Sequence, residues 1–172
     1  SVDASLYLGR KKGEIPVGKI KLKERAPDFT LMDTNGEKFR LSEWKGKKWI
    51  YLVLNRGFAW PYTKKHLMQL HQDMEKFDDK DTIIVNVGPE DRKTFEEVWI
   101  KNGFSFYGLG DEKKEVLKGY GQDVKALKLG RMPAQMIIDQ EGILRYIHYG
   151  TSMQDIPENH EILGILESFG TD

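Results

Sequence analysis

The chain has 172 residues, 27 basic and 27 acidic side chains, and no cysteine. Its length suits one compact domain with a sizeable core. The balanced charge excludes the concentrated Lys/Arg face that phosphate binding needs, so no nucleic-acid partner is expected; the clusters Arg10-Lys11-Lys12 and Lys45 to Lys48 are short and read as solvated turns. No apolar run approaches the roughly 18 residues that cross a bilayer, and the start lacks the charged-then-apolar layout of a signal peptide. A cytoplasmic protein without membrane contact is the expectation. Absence of cysteine removes disulfides, thiolate metal sites and thiol catalysis. Ser1 in place of methionine is what a trimmed or tagged chain would carry.

Residues 1 to about 25 lack sustained periodicity and read as an N-terminal extension, with a short strand at Leu6 to Leu8 and a Gly/Pro-bearing loop from Gly9 to Gly18. Residues 26–172 read as the single domain. Ala26 to Asp33, the Asn35-Gly36 turn and Lys38 to Leu41 predict a hairpin, followed by a short turn that Ser42 caps and Gly46 ends. Trp49 to Leu54 is apolar throughout and rich in aromatic and β-branched residues, as in a strand buried on both faces. Leu67, Leu70, Met74 and Phe77 then recur at helical spacing, predicting a helix from Pro61 to Phe77 with one buried stripe. Thr82 to Val87 is a second buried strand, so the three elements make a βαβ unit with parallel strands. Further on, the pattern predicts a helix to about Lys101, a strand over Phe104 to Tyr107 and a helix over Glu112 to Tyr120. A hairpin of Gln135 to Asp139 and Ile143 to Tyr149, and a last helix after Pro157, complete the domain. Asp139 and Gly142 read as its turn residues.

Between the first buried strand and the first helix lies Arg56-Gly57-Phe58-Ala59-Trp60-Pro61-Tyr62-Thr63. Pro61 suits the first helical position, where a missing N–H costs no hydrogen bond. The loop therefore delivers residues 60 to 63 to a helix N-terminus, where unpaired N–H groups and the macrodipole favour negative charge. A cysteine there would have its pKa lowered from about 8.5.

This stretch resembles the active-site segment of the peroxiredoxin-like branch of the alkyl hydroperoxide reductase and thiol-specific antioxidant (redoxin) family, in which Arg-Gly-Phe-x-Cys-Pro-Tyr-Cys is common. The resemblance extends over Ala26-Pro27-Asp28-Phe29-Thr30-Leu31, the Asn-Gly turn and Leu41-Ser42. It continues through Met132-Pro133-Ala134, Ile138-Asp139 with Gly142, His148-Tyr149-Gly150, and Ser152-Met153 with Asp155-Ile156-Pro157, reaching Phe169. It implies an α/β, thioredoxin-like fold of peroxiredoxin type, with a central mixed sheet flanked by helices. Met132-Pro133-Ala134 takes the place of the cis-proline loop that lies against the active-site helix. The implied activity is thiol peroxidase or thiol-disulfide oxidoreductase chemistry on hydrogen peroxide or alkyl hydroperoxides, with a thioredoxin-like reductant, no cofactor, and a homodimer as one assembly. In that pattern Trp60 stands at the attacking-cysteine position and Thr63 at the resolving one, with Phe58, Pro61, Tyr62 and Pro133 shaping the active-site loop. Neither indole nor an unactivated threonine hydroxyl is a useful nucleophile. The chain is expected to be inactive as it stands.

Trp60 admits three readings: an engineered replacement, a natural loss, or a structural aromatic in a protein that never used a thiol. Its codon lies one base from both cysteine codons and from the selenocysteine codon. An indole is much larger than a thiol and is expected to push the loop of Phe58 to Pro61 outward. Arg56 reads equally as a donor to a thiolate or peroxide oxygen and as a surface ion pair of small worth. Arg131 is a weaker candidate for stabilising charge during O–O cleavage, since the family's arginine falls nearer Pro133. Thr63 reads as a local cap. His66 and His71 are five apart on one helix, and His148 and His160 lie on separate elements without carboxylate companions at ligand spacing, so no metal site is expected. Gly108, Gly110 and Gly119 to Gly121 form no phosphate loop. The rival from another class is a binding or scaffold protein that keeps the fold without catalysis. A non-thiol hydrolase or metal enzyme has no nucleophile-base pair or ligand cluster to support it.

Overall fold

The chain enters the fold as a hairpin, β1 (Thr30–Met32) antiparallel to β2 (Lys38–Arg40) with Thr30 opposite Arg40, turned by Asn35 and Gly36. The computed structural model describes residues 20–122, 124–125 and 130–170; the Leu6 to Leu8 strand, the Gly9 to Gly18 loop and the Arg10 cluster lie outside them. Residues 20 to 26 run beside the later strand β9 (Leu144–Tyr149): the Lys23 N–H donates to the Leu144 carbonyl, Leu144 returns a bond to Glu24, and Ile20 and Ala26 are buried. A 3-10 turn over Leu41–Trp44 follows β2. Asp28 ties it down, its carboxylate accepting both the N–H and the hydroxyl of Ser42.

The middle strand of the domain is β3 (Trp49–Leu54), in which all six side chains are buried. It pairs in parallel with β4 (Thr82–Gly88), Trp49 opposite Thr82, and β4 pairs in parallel with β5 (Tyr107–Gly110). On the other side β8 (Ala134–Ile138) runs antiparallel to β3, and β9 antiparallel to β8, giving the order β5-β4-β3-β8-β9. The first crossover carries α1 (Pro61–Asp78) and the second α2 (Arg92–Asn102). Because both steps move outward in the same direction, a common handedness puts both helices on one face. There Leu67, Leu70, Phe77, Phe95 and Trp99 pack with Tyr51 and Val53 in one core, joined by Ile162 and Leu166 of α4 (Asn159–Ser168). The alternate residues Ile50, Leu52 and Leu54 face a second core with Phe39, Leu41, Leu117 and Tyr120. A strand clothed on both faces needs an unbroken apolar run, and the sequence of β3 supplies it.

Two elements differ from the sequence expectation. The fifth strand begins at Tyr107 rather than Phe104, because Phe104 and Phe106 turn inward to pack edge-on against Trp99, whose indole N–H donates to the Phe106 carbonyl at 2.7 Å. The strand proper contains Gly108 and Gly110, which hide its alternation. The expected helix over 112 to 120 shortens to α3 (Glu115–Gly119), in which Leu117 is buried. A small ladder of β6 (Val124–Lys125) and β7 (Gly130–Arg131) had no signal in the sequence.

Gly108 is where α2 meets the sheet most closely: a β-carbon there would overlap the Trp99 ring. Gly108→Ala should therefore destabilise the fold by about 1–3 kcal/mol in urea denaturation. An unchanged midpoint would mean that Trp99 can move aside freely.

Candidate functional site

β3 ends at Leu54 and α1 begins at Pro61, so the intervening loop crosses the sheet end in six residues. Asn55 is buried and holds its start: its backbone N–H extends the β3–β4 ladder to the Val87 carbonyl, its Oδ1 accepts the Gly57 N–H at 2.8 Å, and its Nδ2 donates to Asn86 Oδ1 at 2.6 Å. Gly57 has φ +122, a conformation that L side chains rarely adopt, and a β-carbon there would come within 3.2 Å of Glu90 Oε2. Glu90 Oε2 in turn accepts the Phe58 N–H at 2.7 Å. Phe58 is buried against Phe95, ring centres 4.7 Å apart, so at Phe58 the loop is packed on the core despite the bulk of an indole two residues on.

The reason lies in where the indole goes. Trp60 sits at the N-cap of α1 with φ −95 and ψ 128, its carbonyl accepting the Thr63 and Lys64 N–H groups. Its ring is half-buried and lies across the guanidinium of Arg56, whose central carbon is 3.8 Å from the ring centroid. Arg56 is only 4% exposed, so it is not a surface side chain. Its Nε donates to the Arg131 carbonyl at 2.6 Å, and desolvation draws its pKa below the ordinary arginine value. Thr63 is buried in the first turn, but the cap position belongs to Trp60, whose side chain bonds no backbone N–H. Tyr62 is 38% exposed and Pro61 is exposed.

The second wall comes from the segment before β8. Arg131 meets Arg56 through its carbonyl, and its own Nη1 donates to the Gln122 carbonyl at 3.3 Å. Gln122, 2% exposed, spends its amide nitrogen on three carbonyls, those of Leu54 and Asn55 at 3.2 Å and of Met132 at 2.8 Å. Pro133 is buried, and its carbonyl accepts the Gly150 N–H at 2.8 Å. Among the described residues no peptide bond is cis, so Met132-Pro133 is a trans counterpart of the expected loop, docked on the end of β3. The structure thus brings Arg56, Trp60, Arg131 and Phe58 to one sheet end. Asn55, Asn86, Glu90 and Gln122, which pin the loop, were missed by sequence reasoning. Their available signal was a polar residue directly after or inside an apolar run, as at Asn55 and Asn86.

The histidines remain apart, and among the described residues no group of three or more His, Asp or Glu could hold a metal. His148 pairs with one carboxylate, its Nε2 lying 3.0 Å from Asp155 Oδ1. The loop after β9 curls back to bring them together. Burial pushes Asp155 up, but the Thr151 N–H and His148 outweigh it and hold the carboxyl below its usual range. Asp139 and Gly142 are turn residues as read: Asp139 Oδ1 accepts the Glu141 and Ile143 N–H groups, and Gly142 has φ +83.

A mixed sheet with a loop at the C-terminal end of its central strand, feeding a proline-started helix and walled by a buried arginine, defines a thioredoxin-like fold of the peroxiredoxin kind. Residues 22–147 match the AhpC/TSA family, and the chain belongs to it. It is 29% identical over 161 residues to a chloroplastic peroxiredoxin Q from rice, Oryza sativa, covering 91% of this chain and 71% of that protein. It is 28% identical over 138 residues to the thiol-disulfide oxidoreductase ResA of Geobacillus kaustophilus, covering 78% and 73%. The crystal structure of peroxidoxin BcpB from Mycobacterium tuberculosis superposes with a TM-score of 0.76 at 17% identity, over 87% of this chain and 98% of that one, a likeness of fold. The chain is thus a cysteine-free homologue of peroxiredoxins and thiol oxidoreductases.

Beneath the loop, on the sheet-facing side of α1, His66 is buried with no hydrogen-bond partner for its Nε2 among the described residues. Desolvation lowers its pKa from 6.5 to about 4. An unfolded chain takes up this proton near pH 6.5, while the folded one resists until about pH 4. Stability should therefore be full above the upper value, fall across the window and level off below the lower one, by roughly 3 kcal/mol in all. His66→Leu should flatten that part of the stability profile measured by urea denaturation from pH 7 to 4. An unaltered slope would assign the loss to other groups.

Proposed function

We propose that this chain keeps the peroxide site of its family as a preformed scaffold around a missing nucleophile, and performs no thiol peroxidase reaction as it stands. The observation that carries this reading is Trp60: it occupies the N-cap of α1 directly over the buried Arg56, at the place where the family resemblance puts the attacking cysteine. In a chain with cysteine there, the thiolate would attack the terminal peroxide oxygen. An S–O bond would form, the O–O bond would break, and water or an alcohol would leave with the proton supplied by solvent. Arg56 would donate to the oxygen developing charge, a role that a fixed, poorly hydrated guanidinium fills well. Arg131 touches the site through its carbonyl, so its part is to hold Arg56 in place. A thioredoxin-like dithiol would return the sulfenic acid to thiol, and a homodimer is the assembly such a reaction partner would meet.

A non-catalytic binding protein on the same fold is the second reading. It is favoured by how well Trp60 is accommodated, its ring stacked on a cation and Phe58 undisturbed. The native gene separates the two: a cysteine or selenocysteine codon at position 60 dismisses the binding protein, whereas tryptophan and threonine codons at 60 and 63 support it.

Peroxide consumption with dithiothreitol or thioredoxin should be at background for the chain as given and catalytic for Trp60→Cys. Turnover by the unaltered chain would sink the proposal. Failure of both would mean that the Arg56 environment no longer forms a peroxide site.

A further inference from the structure

The helices that flank the Phe58 loop leave a groove between them whose lining does not include Trp60. A cavity of about 270 Å³ opens between α1 and α2. Phe58, Leu67 and Phe104, all buried, line its inner part, and Met68, 41% exposed, lines its mouth. Val98 and Asn102 add to the wall, and Lys64 of α1 and Lys101 of α2 stand beside it; both lysines are exposed, and neither is within ion-pair distance of a carboxylate among the described residues. Methionine is unbranched and polarizable, a side chain that moulds to apolar ligands. An apolar pit with two unpaired cations beside it complements one chemistry, a hydrocarbon tail ending in a carboxylate. At roughly 30 Å³ per non-hydrogen group, the share of a liquid water, the space holds about nine such groups, close to an eight-carbon acid.

We propose that this groove binds a medium-chain carboxylate, its tail against Phe58, Leu67 and Phe104 beneath Met68 and its carboxylate between Lys64 and Lys101. The site does not involve position 60, so it stands whether or not the chain ever carried a thiol. It does touch the loop: Phe58 lines the cavity with its ring while its N–H is fixed by Glu90, so an occupied groove would press on the segment leading to Trp60.

Octanoate titrated into the full chain, followed by backbone amide NMR, should give saturable shifts confined to residues 57–60, 64–68 and 98–104. Octanol should bind about tenfold more weakly and acetate not measurably. Lys64→Ala and Lys101→Ala should each weaken octanoate by about threefold to fivefold, the scale of an exposed ion pair. Met68→Glu, at an exposed position, should abolish binding without changing the melting temperature. Octanol as tight as octanoate would overturn the proposal, as would shifts located elsewhere. Self-association through these residues without ligand would overturn it too, since a second copy would then be the occupant.

Discussion

The site depends on one requirement: the carbonyl and N–H groups at the end of β3 must be satisfied where water does not reach. The strand leaves the sheet beside β4 and β8, both buried, and turns into a helix within six residues. Each unmade buried hydrogen bond would cost about 1–3 kcal/mol, so the loop cannot be left to chance. Asn55 and Gln122 meet the need from opposite sides. Asn55 accepts from Gly57 and donates to Asn86, while the single amide nitrogen of Gln122 serves Leu54, Asn55 and Met132. The same bonds join three segments that are distant in sequence, which is how residues 56, 122 and 131 come to share one wall.

Arg56 is the functional consequence of that constraint. A guanidinium this deeply buried loses hydration, and the loss appears as a lowered pKa. It is offset by the Arg131 carbonyl and by the face of Trp60, whose ring quadrupole attracts a cation and gains strength where water is excluded. The tryptophan therefore does more than block a pocket. Its ring covers one side of the buried guanidinium and forms part of that cation's electrostatic environment. Helix, loop and arginine meet around a position that carries no thiol.

The strands and helices with strong periodicity were legible in the sequence. β3 through β4, α1, α2 and the closing hairpin lie within a few residues of their predicted places, because each has one clear apolar pattern and a marked end: Pro61, Gly88-Pro89 and the Asp139-Gly142 turn. The loop and its helix start were legible for the same reason, and the resemblance assigned Trp60 its position. The fifth strand was misplaced because an aromatic pair that looked like a strand is used to enclose Trp99. The pairing of His148 with Asp155 was not legible, because the two meet only when the loop after β9 folds back.

The sequence by itself determined the βαβ core, the placement of residues 60 to 63 at a helix N-terminus and the absence of any thiol, since these follow from local pattern and composition. Tertiary structure decided the state of Arg56, the trans Met132-Pro133 junction, the Gln122 bonds and the groove between α1 and α2. Each of those is set by groups tens of residues apart that must satisfy one another's charge, volume or hydrogen bonds in the same small space, and no local pattern records such a pairing.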